Sequence, residues 1–163
     1  MARVVPALCE ALKDVDAGVR REAAFALGIT KAPAAAQPLI AALRDVNQHV
    51  RMCAALALGE IQDASGNAAL FEALQREELA VVAGAYAFLI AEGKPNTEPV
   101  LVKALMKHGH PLMAEDYVNS GNSHLAAAAR EWASKHNYTI IEGTPSEDRI
   151  VQRSKWGQGY HRR

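Results

Sequence analysis

The densest group of residues able to do chemistry is His108-Gly109-His110, with Glu115 and Asp116 close behind. A His-x-His pair can share a metal ion when the backbone is extended and a further ligand completes the site. Here Gly109 and Pro111 place the pair in a turn between helices, and no third ligand stands at a suitable spacing, so no metal is expected. The serines, at 65, 120, 123, 134, 146 and 154, fall in turns, in the last helix or in the C-terminal segment. None sits in the glycine-flanked elbow that exposes a nucleophile. The glycines around Asn119-Ser120-Gly121-Asn122-Ser123 are too few to cradle a phosphate. Cys9 and Cys53 lie in different predicted helices, where a small apolar residue would serve, and read as two reduced thiols. No catalytic constellation emerges, and no cofactor is expected.

The elements that carry these residues repeat. Shifting the chain by 31 positions lays segment 8–28 on segment 39–59 with twelve of twenty-one residues identical, among them Leu8/Leu39, Leu12/Leu43, Asp14/Asp45, Val19/Val50, Arg20/Arg51, Ala23/Ala54, Leu27/Leu58 and Gly28/Gly59. A fixed period of this length marks a solenoid, in which each unit buries its face only against its neighbours. Each unit reads as two helices. The first carries Leu8 and Leu12, or Leu39 and Leu43, and ends at Asp14-Val15-Asp16 or Asp45-Val46-Asn47, where short polar side chains turn the chain and cap the next helix. The second carries an inward stripe of Val19, Ala23, Ala26 and Leu27, with Gly28 where a helix commonly ends in the left-handed conformation. A third unit keeps Leu70, Leu74, Val81, Ala85 and Leu89 in phase, a fourth keeps Leu101 and Leu105, and Leu125, Ala128, Ala129 and Trp132 line a last helix over 123–137.

The expected fold is all-α, a right-handed α-α superhelix of about four helix pairs (3–30, 31–61, 62–92 and 97–121) with a capping helix at 123–137. A basic and aromatic non-repeat tail over 138–163 follows. Composition agrees: half of the residues are hydrophobic but only 6% aromatic, and alanine is frequent, which favours helices. Lysine plus arginine equal aspartate plus glutamate at 18 each, which removes the whole-chain electrostatic argument for nucleic acid or an anionic membrane. No apolar run approaches the ~18 residues of a membrane span. The opening residues, interrupted by Pro6 and Glu10, read as the first helix and not as a signal peptide; a cytoplasmic protein is expected.

Helix, aspartate turn, Val-Arg and then Ala-Ala-x-Ala-Leu-Gly resembles HEAT repeats, in the short form similar to the phycobilisome lyase HEAT-like family. The resemblance implies a hydrogen-bonded ladder between adjacent repeats, built here by Asp14, Arg20, Asp45 and Arg51. That reading outweighs anion binding by the two arginines, because an aspartate stands six residues upstream of each and a guanidinium fork can bridge carboxylates and carbonyls. Arg76 and Val82 occupy the aspartate and arginine positions of the third unit, so the ladder is expected to stop after the second. The lyases of this family attach bilins, but the resemblance lies in scaffold residues, which do not carry function. The iron-carrying deoxyhypusine hydroxylases, of similar architecture, use His-Glu dipeptides. Here the six histidines precede Val50, Gly109, Pro111, Leu125, Asn137 and Arg162, which excludes that activity.

What remains is a non-enzymatic protein-interaction scaffold. In the family resembled, second helices line the concave side, which here would present Arg21, Glu22, Phe25 and Ile29, then Met52, Cys53, Leu56 and Glu60, then Ala83, Gly84 and Ala87. Phe25, Met52 and Leu56 in a row imply a groove for a partner's helix or extended segment, with methionine as an adaptable contact. The competing reading packs these residues on neighbouring units or on the tail near Trp156 and Tyr160. The tail itself, with Arg149, Arg153, Lys155, Arg162 and Arg163, reads as solvated or docked, or as a single-strand nucleic-acid contact. The first repeat has no polar cap before it, so that edge is expected to self-associate or to have lost preceding repeats.

Overall fold

Two short polar turns, spaced by the 31-residue period, set the first half of the molecule. In the computed structural model, which describes residues 3–141, Asp16 and Asn47 stand in extended backbone at the N-caps of the second helices. Asp16 accepts from the Val19 amide, and Asn47 from those of His49 and Val50. Each cap satisfies amides that have no partner within the helix. The described residues divide into two compact units, one up to Ala85 and one from Tyr86. The described residues are helical, without strands, as the sequence requires.

The first unit holds three helix pairs: α1 (Val4–Ala11) with α2 (Ala17–Thr30), α3 (Ala36–Ala42) with α4 (Gln48–Ile61), and α5 (Ala64–Gln75) with α6 (Leu79–Gly84). A short 3-10 turn at Pro33–Ala35 leads into α3. The pairs stack through their second helices, α2 on α4 and α4 on α6, and through α3 on α5. The core between them is Leu27, Leu39, Val50, Leu58 and Leu70, each without solvent contact. Alanines at 24, 54 and 55, also fully buried, let the helices approach closely.

Three details depart from the sequence expectation. The inward stripe of α2 is Ala23, Ala24, Leu27 and Gly28, whereas Val19 is 42% exposed and Ala26 half-buried. Among the described residues only α1 and α4 pack extensively on α2, so the side that carries Val19 lacks the cover that Val50 receives. Gly28 does not end its helix. The left-handed residue is Lys31 (φ 49°), and its counterpart after α4 is Gln62 (φ 55°). Gly28 is there for contact: a Cβ on it would stand 2.9 Å from Ala57 Cα. Finally, the second helix of the third repeat is interrupted at Ala85 (φ −95°, ψ 7°).

The second unit contains α7 (Tyr86–Glu92), α8 (Glu98–His108), α9 (Pro111–Val118) and α10 (Ser123–Lys135). Asn122 caps α10, accepting from the amides of His124 and Leu125. Helix α10 packs on α8 and α9, burying Leu125, Ala128, Ala129 and Trp132 along one side. The Tyr117 hydroxyl, wholly buried, donates to the Leu101 carbonyl at 2.8 Å. The basic and aromatic residues of the tail from 142 onward lie outside the described residues.

Candidate functional site

The two aspartate turns are built alike. Asp14 Oδ1 accepts from the Asp16 amide and Asp45 Oδ1 from the Asn47 amide, both at 2.8 Å. Each turn is then stapled by the arginine six residues on. Arg20 Nη1 donates to the carbonyls of Asp14 and Val15 at 2.8 and 3.1 Å, and Arg51 Nη1 to those of Asp45 and Val46 at 2.6 and 3.2 Å.

Of these two arginines, among the described residues, Arg20 alone also crosses to the next repeat. Its Nε and Nη2 meet Asp45 Oδ2 and Oδ1 side-on at 2.7 and 2.9 Å. That hydrogen bond holds the Asp45 carboxyl below its ordinary range, with burial working the other way, and raises Arg20 further. Asp14 and Arg51 make no such crossing. Of the four residues expected to link the repeats, Arg20 and Asp45 do so, and Asp14 and Arg51 serve their own turns.

A recess of ≈ 340 Å³ opens between α2 and α4, lined by Phe25, Gly28, Ile29 and Lys31 on one side and Leu56, Ala57 and Glu60 on the other. It exists because the two helices touch at Gly28 and Ala57, leaving the larger side chains spread around that contact. Phe25 is 48% and Ile29 69% exposed, and an apolar surface left open in this way marks a place where another molecule can bind. Lys31 Nζ and Glu60 Oε2 close one end at 3.2 Å.

The row expected from the sequence is thus divided. Phe25 and Leu56 share the recess. Met52 does not join them: α6 covers its backbone, so that a Cβ on Gly84 would stand 2.1 Å from the Met52 carbonyl oxygen. Cys53 is half-buried and outside the recess, and burial raises its thiol pKa. Arg21 and Glu22 pair with each other at 2.7 Å on exposed surface. Ala83, expected on the open face, is buried. Gly28, Lys31 and Ala57 were not foreseen as lining residues. The available signal was the small residues Gly28 and Ala57 in successive second helices, which allow a close crossing.

A family model described as HEAT repeats matches residues 5–91, more than half of the chain. The chain belongs to the HEAT-repeat family. No match was found among curated proteins. The HEAT match spans α1 to α6 and nearly all of α7, and therefore includes both the Arg20–Asp45 rung and the recess.

Beyond the HEAT match, the histidine turn has structural work. His110 Nδ1 accepts from the Met113 amide at 3.3 Å, capping α9. This needs an unprotonated Nδ1, and burial lowers the His110 pKa, with Asp116 opposing. The Asp116 carboxylate accepts from the Tyr86 hydroxyl at 2.8 Å and that of Glu115 from Tyr138 at 2.6 Å. Both carboxylates are buried, and the tyrosines give them hydrogen bonds that offset the loss of water. Among the described residues no group of three or more His, Cys, Asp or Glu could hold a metal ion, and no helix is long and apolar enough to cross a membrane.

Proposed function

We propose that this HEAT-repeat protein is a non-enzymatic, cytoplasmic scaffold that docks an apolar segment of another protein in the recess between α2 and α4. HEAT repeats commonly mediate protein–protein interaction. The observation that carries the proposal for this chain is the exposure of Phe25 and Ile29 beside Leu56 in one recess. The neighbouring charges are matched internally, Arg21 with Glu22 and Lys31 with Glu60. The recess therefore selects a large uncharged side chain, carried on a helix or an extended segment. Bilin attachment, which the finer resemblance would add, is not part of this reading, because the resemblance lies in repeat residues that build the scaffold, and a shared scaffold does not carry function. Nucleic acid is not part of it either, since the chain carries no net charge.

A photo-crosslinking residue at position 25, expressed in the host cell, tests the reading against the same residue at exposed Glu10. A discrete protein adduct at position 25 and none at position 10 is the expected result. Identical patterns at the two positions would remove the recess as the docking site.

A further inference from the structure

The two repeat arginines are held in the same way and used differently. In both, Nη1 is fixed by two carbonyls of the turn six and five residues upstream, which fixes the guanidinium relative to that turn. The other edge of Arg20, Nε and Nη2, receives the Asp45 carboxylate side-on. Among the described residues no carboxylate meets the same edge of Arg51. The residue 31 positions after Asp45 is Arg76, whose own guanidinium is paired with Glu72 at 2.6 Å. The turn has also been rebuilt: α5 runs on to Gln75, and Glu77 takes a left-handed conformation at φ 53°. Arg51 is half-buried. Among the described residues the buried polar side-chain atom without a hydrogen bond is Asn67 Oδ1, so the open edge of Arg51 reaches solvent.

We propose that Nε and Nη2 of Arg51 form a receptor for a carboxylate supplied by another molecule, the side-chain or terminal carboxylate of a peptide. The chain itself shows what this edge fits, because the equivalent edge of Arg20 holds Asp45 as a planar, two-point ion pair. A guanidinium whose fork is already oriented loses less freedom when it binds, and a planar carboxylate matches its two donors. The Asp45 carboxylate, close enough to feel the Arg51 charge, is itself taken by Arg20. Half-burial strengthens the attraction relative to a fully wet arginine. This site is separate from the apolar recess: Arg51 is not among the residues that line it.

The test follows the arginine Nε–H resonances of the full chain by NMR during titration with sodium acetate at constant ionic strength, and in a second series with inorganic phosphate. The proposal expects a saturable shift of the Arg51 signal with acetate and none of the Arg20 signal, which is the internal reference. In Arg51→Lys, which keeps the charge but removes the two-donor edge, the shifts that acetate induces in the backbone amides of the Asp45–Asn47 turn should disappear. Equal shifts at Arg20 and Arg51, a linear response without saturation, or a response to phosphate and not to acetate would each overturn the proposal. So would acetate-induced shifts of that turn that persist unchanged in folded Arg51→Lys.

Discussion

Arg20 grips Asp45 across two repeats, Nε to Oδ2 at 2.7 Å and Nη2 to Oδ1 at 2.9 Å, while Arg51 stays within its own turn. The pair is largely shielded, with side-chain exposures of 13% and 11%. Removing one partner leaves the other with its hydrogen bonds unmade. Arg20→Met and Asp45→Asn should therefore each lower the melting temperature, and the double variant should lose less than the sum of the two. Arg51→Met should cost less than Arg20→Met, because it breaks bonds to carbonyls only. Equal losses at the two arginines would contradict the single-rung account.

The same pair makes stability depend on pH in a defined direction. The hydrogen bond from Arg20 lowers the folded-state pKa of Asp45, so on acidification the unfolded chain takes up the proton first. Stability from this group is complete above the unfolded carboxylate pKa and is lost as pH falls through the folded one. The difference in melting temperature between wild type and Asp45→Asn should shrink as pH falls below the ordinary carboxylate range. A difference that grows with acidity would give the wrong sign.

Gly28 and Gln62 should respond in opposite ways to substitutions that look conservative. Gly28→Ala improves helix propensity by about 1 kcal/mol, but its Cβ would press on Ala57 Cα at 2.9 Å. Overpacking costs about 1–3 kcal/mol, so a net loss is expected in urea unfolding. Gln62 stands at φ 55° after the end of α4. Gln62→Gly should stabilise by up to about 1 kcal/mol by relieving the left-handed backbone. A stabilising Gly28→Ala would show that α2 and α4 can move apart without loss.

The helix caps give a third stability test. Asn47 Oδ1 accepts from the amides of His49 and Val50, and Asn47→Ala should cost about 1 kcal/mol by urea unfolding. Asn47→Asp should retain most of that stability. If Ala and Asp behave alike at neutral pH, the cap contributes nothing.

How far the sequence reaches can be seen at particular residues. Leu27 and Leu58 recur in register and both are fully buried, because each packs against a neighbouring repeat, whereas Val19, the equivalent of the buried Val50, is 42% exposed. Gly28 was misread because a glycine late in a helical pattern looks like a local stop, whereas its cause is Ala57, 29 residues away. The left-handed positions fell to Lys31 and Gln62, which local propensity does not single out. The interruption at Ala85 is hidden because Val81, Ala85 and Leu89 stay in phase across it. Phe25 and Leu56 were legible as apolar residues off the core stripe. Met52 has the same pattern, yet the packing of Gly84 against its backbone is a tertiary fact that spacing does not contain.

The recess is tested most directly by the affinity of the protein captured at position 25 for wild type and for Phe25→Ser/Ile29→Ser, measured calorimetrically at low and high salt. Both side chains are substantially exposed, so the variant should melt close to wild type. The account predicts at least a ~10-fold loss of affinity, since an anchoring side chain is worth more than about 1 kcal/mol. It also predicts that wild-type affinity changes little with salt, because the recess offers no unmatched charge. An unchanged affinity in the folded variant would contradict the claim that partners dock between α2 and α4.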